Sequence, residues 1–359
     1  LSRVPTIWLF ALGYLVAYVP YGVFTKALSS GLGPFQGASI SGVSLLPVST
    51  MAAFVAMVLT LMRLGWWRYV PLRTLGPLKV RTPTMPQFLS GLCTAGIATT
   101  TTLAYTFDGV SIVFVMLLMR GGVLVLAPVV DILTRRPTRW YSWVGLALSM
   151  GALVVAFTGE ASFGLTAACA LDVGIYLGCY FIRLQIMSRK AKSDDPDATR
   201  GYFVGEQMTA IPAVVLLLGL FALGGSGDFS QELRFGFTEV LVSSTVWAVA
   251  LIGILSQGTG VFGTLVLLDR SENTYSVPVN RSSSILAGVI ASFVLAGFFG
   301  AQGPAAAELV GAALVVVAIV VMSLAPVLER RRKSAPPVVS GSILLSAQSQ
   351  VAVKASEFR

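Results

Sequence analysis

The sequence predicts an all-α polytopic membrane protein, with ten transmembrane helices in two inverted five-helix repeats and both termini cytoplasmic. Three observations predict it: apolar runs of about 20 residues, basic residues gathered in alternate loops, and an internal similarity at an offset of 161 residues.

The runs come first. Of 359 residues, 55% are hydrophobic and 11% are charged, against roughly 45–50% and about 25% in an ordinary soluble domain. A helix rises about 1.5 Å per residue, so about 20 apolar residues cross a hydrocarbon layer of about 30 Å. Such runs lie near 6–26, 39–62, 86–107, 110–132 and 140–158, and again near 163–187, 202–224, 239–267, 275–299 and 304–328. The third and fourth divide at Asp108-Gly109, the eighth and ninth at Asp269 to Asn273. No positively charged, cleavable leader precedes the first run, which is read as a permanent helix.

The loops set the orientation. Arg63, Arg68, Arg73, Lys79 and Arg81 fall in the second loop, Arg135, Arg136 and Arg139 in the fourth, and Arg189, Lys190, Lys192 and Arg200 in the sixth. Arg270 lies in the eighth, and Arg330 to Lys333 follow the last run. Asp108, Glu160, Asp228, Glu232, Glu239 and Glu308 fall on the other side. Cytoplasmic loops retain Lys and Arg, so the even loops and both termini are cytoplasmic. The formal charge of +9 is thereby explained by topology rather than by nucleic acid. The expected location is a bacterial inner (plasma) membrane, with membrane lipids as surroundings. From residue 334 to 359 the chain is rich in Ser, Ala, Pro and Val and reads as a disordered tail.

The repeat divides the rest into residues 1–160 and 161–333. A shift of 161 places Asp108 on Asp269 and Arg120 on Arg281, and about five added residues bring Gly145 onto Gly311. Five helices per half is an odd number, so equivalent helices run in opposite directions, as in transporters whose substrate sits near the midplane between two halves.

Arg120 and Arg281 carry the chemistry. Twelve residues separate each from its aspartate, a rise of about 18 Å that brings both near the midplane from opposite faces. An arginine there costs at least a few kcal/mol and persists when it faces a bundle interior, a watery cavity or a counter-ion. Two without matching acids imply a missing anion. The guanidinium fork suits a phosphate or a carboxylate; the bland alternative is that each side chain snorkels to a head group. Asn280, Thr101, Tyr105 and Gln257 can line the same cavity, although membrane threonines commonly bond their own backbone. Lys26 adds charge at the end of the first helix, with Arg183 in a corresponding place in the sixth, unless both are interfacial anchors. Asp172, an acid well inside the sixth run, reads as a counter-ion or coupled-proton site, or as a structural acid. Glu206 reads as interfacial. Gly121, Gly122, Ser282, Ser283 and Ser284 read as positions where the fourth and ninth helices approach. Gly96, Gly258, Gly260 and Gly263 read as positions that permit bending.

Cys93, Cys169 and Cys179 lie in apolar stretches without metal-ligand spacing, and the chain has no histidine. No cofactor or metal is expected. No nucleophile with an adjacent base emerges, so an enzyme is not expected either.

Ten helices, inverted halves, basic even loops and Tyr-Gly-Val-Phe-Thr-Lys closing the first helix together resemble the drug/metabolite transporter superfamily, closest to its triose-phosphate and nucleotide-sugar translocator branch. The resemblance implies that Arg120 and the Asn280-Arg281 pair occupy that branch's phosphate-binding positions, with Asn280 departing from its basic pair. The expected function is alternating-access transport, as an exchanger, of a small anionic and phosphorylated organic solute. The competing readings are a flippase for a phosphate-bearing lipid and an exporter of neutral or zwitterionic metabolites such as amino acids.

Overall fold

The computed structural model describes residues 6–36, 39–75, 78–103, 112–157, 166–192, 195–301, 303–304 and 306–334. Expectations placed on Tyr105, Asp108, Glu160 and the tail beyond 334 lie outside the described residues. The helices are α1 (Thr6–Ser29), α2 (Gly42–Leu64), α3 (Met85–Leu103), α4 (Ile112–Leu133), α5 (Trp140–Phe157), α6 (Ala167–Lys190), α7 (Pro196–Gly224), α8 (Asp228–Val242), α9 (Val246–Leu267), α10 (Asn273–Phe299) and α11 (Ala306–Ser334). Among the described residues, seven helical segments are long and apolar enough to cross a membrane.

Burial runs in the sense that a lipid solvent demands. Leu223 and Phe298 are 84% and 83% exposed while Asp131, Glu206 and Asn273 are 0% exposed. Apolar side chains can face hydrocarbon without cost, whereas polar ones must turn inward to partners. The chain is an integral, multi-pass, α-helical membrane protein by these features.

Local chemistry sets the helix ends. Ser41, Thr166 and Asp195 accept from backbone N–H groups in the first turns of α2, α6 and α7, and Pro196 follows Asp195 where a missing N–H is harmless. Gly65 ends α2 at φ 62°, a left-handed conformation that favours glycine.

Three elements differ from the sequence expectation. The run 239–267 is broken at Ser243 to Thr245: the Ser243 hydroxyl donates to the Val240 carbonyl and pairs with Thr245, competing with the helical ladder. Residues before the break form the separate helix α8, and those after it form α9. The basic second loop holds a hairpin, β1 (Leu72–Leu75) antiparallel to β2 (Leu78–Arg81), with Arg73 opposite Val80. Arg81 anchors it by donating to the carbonyls of Arg68 and Val70. Finally, α7 begins at Pro196 rather than near 202, which sets Glu206 about 15 Å along the helix, where it is fully buried.

Packing repeats when α1, α2, α3, α4 and α5 are set against α6, α7, α9, α10 and α11. Helix α1 packs on α9 and α10 as α6 packs on α3 and α4; α2 meets α9 as α7 meets α3. Helices α2, α4 and α5 also touch their own counterparts α7, α10 and α11. The close approaches recur as well. A Cβ on Gly91 of α3 would lie 2.5 Å from Thr209 of α7, and one on Gly253 of α9 would lie 2.1 Å from the Ser49 carbonyl oxygen of α2. Gly96 meets Cys179 of α6, and Gly258 meets Ala17 of α1. These glycines serve close helix packing, and α3 and α9 run through them without a break.

Candidate anion-binding cavity

Helices α1 and α6 each carry two tyrosines one helical turn apart, Tyr14 with Tyr18 and Tyr176 with Tyr180. Four residues is the spacing that stacks side chains on one helix face. The ring centroids are 5.4 Å apart in the first pair and 4.9 Å in the second. Between these faces stand Arg120 of α4 and Arg281 of α10, and all six side chains line one cavity of roughly 160 Å³. Ile97, Thr101, Met119 and Ser284 complete its wall.

Each arginine meets a tyrosine. Arg120, half-buried, donates from Nη2 to the Tyr18 hydroxyl at 3.3 Å. Arg281 is 8% exposed and holds its guanidinium carbon 5.0 Å from the Tyr180 ring centroid, a cation–π contact of about 2 kcal/mol when desolvated. That contact satisfies the face of the guanidinium, not its edge. Nε and Nη2 of Arg281 are buried without a hydrogen-bond partner among the described residues. The ion pairs among those residues are Arg183 with Glu206 and Arg200 with Asp197, so the cavity arginines have no carboxylate within 4.0 Å there. Nε and Nη2 form the side-on edge that matches two oxygens of a carboxylate or phosphate. A buried donor left unmet costs about 1–3 kcal/mol, more when charged, and an anion removes that cost.

The smaller polar groups have other work. Thr101 donates to the Ile97 carbonyl and Ser284 to the Arg281 carbonyl, while Thr99 and Thr100 bond their own helix in the same way. The cavity is therefore served by guanidinium and phenol groups.

The remaining candidates lie elsewhere. Asn280 is buried but its amide donates to the Gly263 carbonyl at 3.2 Å, tying α10 to α9. Gln257 is buried on α9, with Nε2 unpartnered among the described residues, and is not in the cavity wall. Lys26 is exposed in the last turn of α1, away from the cavity. Asp172 sits one turn from Tyr176 on α6, 5% exposed, with both carboxylate oxygens unpartnered among the described residues, and it too is outside the wall.

Glu206 corrects the sequence expectation of an interfacial residue, and Arg183, outside the cavity wall and bonded within the bundle, fits neither the added-charge reading nor the interfacial one. Arg183 Nε donates to Glu206 Oε1 at 2.6 Å with both side chains buried, and Thr94 donates to the same oxygen. Arg183 also reaches Thr264 of α9, so it is held by partners inside the bundle. The small residues beside the arginines also pack differently from expectation. Gly122 meets Leu177 of α6, Gly121 lies nearest Leu153 of α5, and Ser282 pairs with Ser149 of α5 at 3.1 Å. Helices α4 and α10 do touch, but these residues seat them against α5 and α6.

No family model matches the chain, and no curated protein matches it. A solved structure described only as "Crystal structure of protein" superposes with a TM-score of 0.56 over 92% of this chain and 99% of its own, at 16% sequence identity. The similarity is one of fold.

Proposed function

We propose that this protein is a secondary transporter that moves a small anionic organic solute, of the phosphorylated or carboxylate class, by alternating access and in exchange mode. One observation carries the reading: a buried guanidinium edge, Nε and Nη2 of Arg281, is left without a partner among the described residues in a tyrosine-lined cavity that it shares with Arg120. The ten long helices act as ten spans in two inverted halves with both termini cytoplasmic. The recurrence of packing contacts between α1–α5 and their counterparts supports that division, and so does the resemblance to the drug/metabolite transporter superfamily.

The cavity of roughly 160 Å³ is smaller than the clefts of about 300–1,000 Å³ that hold drug-sized ligands. A compact organic acid or short-chain phosphate fits this volume better than a nucleotide sugar does. Exchange follows from electrostatics: an unoccupied pair of cations costs free energy to enclose and carry across hydrocarbon, and an anion bound in either direction removes that cost. The protein performs no covalent chemistry in this account and needs no cofactor.

The test is counterflow in proteoliposomes loaded with a small phosphorylated or dicarboxylic solute. Wild type is expected to exchange it, and Arg120→Ala and Arg281→Ala, purified as folded protein, are expected to lose exchange. Undiminished exchange by both variants overturns the proposal.

A further inference from the structure

At the end of the bundle where α4 stops and α10 begins, a carboxylate from one half caps a helix of the other. Asp131, in the last turn of α4, is 0% exposed. Its Oδ1 accepts from the backbone N–H of Asn273 at 2.9 Å and from the Asn273 amide at 2.7 Å. Its Oδ2 accepts from the backbone N–H of Thr274 at 2.6 Å and the Thr274 hydroxyl at 2.7 Å. Four donors on one buried carboxylate, two of them the free N–H groups of a helix N-terminus, form a strong anion site that the protein fills from within. The residue in the N-cap position of α10 does not compete: Glu272 makes no capping bond and instead accepts from Ser142 of α5 at 2.7 Å.

The surrounding bonds converge on the same place, some between the halves and some within the second. Asn273 also donates to Ser188 at the end of α6. Arg136, just past α4, donates to the carbonyls of Ser188, Lys192 and Arg270. Lys192, just past α6, donates to the Ser271 carbonyl at 2.7 Å and the Ser276 hydroxyl at 3.0 Å. These contacts join the ends of α4 and α6 to the start of α10, and the arginine cavity lies deeper along the same three helices.

The positions that the internal repeat matches to this cap lack its chemistry in the sequence. The 161-residue offset sets Ser292 against Asp131, and Ile112 and Val113 against Asn273 and Thr274. A serine has no carboxylate to offer, and two aliphatic side chains have no donors. Among the described residues the matched positions show no second cap of this kind, and a strong polar clasp at one end of the bundle biases which end stays shut.

We propose that Asp131 is a gating residue: its trans-cap on α10 latches the cytoplasmic end, and breaking that cap shifts the protein from a cytoplasm-closed to a cytoplasm-open state. The inference rests on the transport reading above, but its test needs no substrate. Asp131→Asn presents an amide to the Thr274 donors and loses the charge that faces the helix N-terminus, while keeping the size of the side chain.

The experiment compares thiol labelling by a small hydrophilic maleimide at two single-cysteine reporters, in a folded background with Cys93, Cys169 and Cys179 replaced by alanine. Val277→Cys reports on the latch, since Val277 is 0% exposed one turn into α10; Thr101→Cys reports on the cavity. With Asp131 intact, the latch reporter is expected to label slowly and the cavity reporter faster. Asp131→Asn is expected to speed labelling of the latch reporter by about tenfold or more, as a shift of at least 1.4 kcal/mol between two states requires, and to slow the cavity reporter at the same time. Unchanged labelling at the latch reporter, or acceleration at both as general loosening produces, overturns the latch. Counterflow by the otherwise unaltered wild type separates the two proposals: exchange without reciprocal labelling removes the latch alone, whereas absent exchange removes the transport reading.

Discussion

Tyr18 and Tyr180 line one cavity from α1 and α6, 162 positions apart in the chain, and each attends one arginine: Tyr18 accepts from Arg120, and Tyr180 lies under Arg281. Tyr14 and Tyr176 repeat the offset. The cavity is thus assembled from two tyrosine pairs and two arginines that recur at nearly the same offset along the chain. A solute held between them would meet a guanidinium and a phenol pair on either side, an arrangement suited to release in either direction.

Arg281 is the less settled of the two cations, and its removal is expected to separate stability from binding. Arg281→Met replaces a buried charge whose Nε and Nη2 lack partners among the described residues with an apolar chain of similar reach. Replacing buried ionic groups with apolar ones is often neutral or stabilising by about 1–4 kcal/mol. Thermal denaturation in detergent should show the variant melting at or above wild type. A large fall in melting temperature contradicts this account of the arginine.

The buried pair of Arg183 and Glu206 is expected to behave in the opposite way. Both side chains are enclosed, at 2.6 Å, so Glu206→Gln leaves an uncompensated cation and should cost about 3–5 kcal/mol. Combining it with Arg183→Met should recover part of that loss. Chemical or thermal unfolding of the single and double variants measures the difference, and a double variant worse than the single contradicts it.

Gly253 tests the packing of α9 on α2. A methyl there would sit 2.1 Å from the Ser49 carbonyl oxygen, which is backbone and cannot swing aside. Gly253→Ala should destabilise the fold by about 1–3 kcal/mol through overpacking, whereas Gly260→Ala, with open space at its Cβ, should not. Equal melting temperatures for the two variants contradict the close approach.

Lys192 is expected to make stability depend on pH. Burial, reinforced by Arg136, pushes its ammonium down to about 7 against the partial support of Asp131, Asp269 and Glu272. In the unfolded chain the group titrates near 10.5. Between those values the unfolded state holds the proton and the folded state does not, so stability rises with pH from about 7 to about 10.5, and the full cost of the buried cation remains below 7. Melting temperature should therefore climb over that window in wild type and climb less in Lys192→Met. Parallel pH profiles in the two proteins contradict the assignment.

Much of this is legible in the chain. Among the described residues, apolar runs locate the long helices, because lipid solvent imposes length and composition directly. Arg120 and Arg281 stand out because a charge inside such a run needs a reason. The tyrosines escape notice for a specific cause. Helices α1 and α6 align at 162 while α4 and α10 align at 161, so an offset chosen on the arginines sets Tyr14 on Ile175 and Tyr18 on Cys179. One residue of slip between α3 and α4 restores the match. Asp131 gives no signal of its own, since an acid in a final helical turn looks interfacial and its four donors come from 142 positions and more downstream. Glu206 looks interfacial because Asp195 and Pro196 start α7 before its apolar run begins. Lys26, Asn280 and Gln257 have suitable chemistry, but helix rotation and depth decide what faces the cavity.

The central claim is that the cavity between Arg120 and Arg281 holds an anion, and ligand-dependent thermal stabilisation of the purified protein tests it most directly. A ligand that binds the folded state alone at about 100 times its Kd adds about 2.7 kcal/mol. Across sugar phosphates, small carboxylates, amino acids and neutral sugars, the account predicts that stabilisation follows negative charge in wild type and vanishes in Arg281→Met. Stabilisation by a neutral sugar equal to that by its phosphate, or an undiminished response in Arg281→Met, would contradict it.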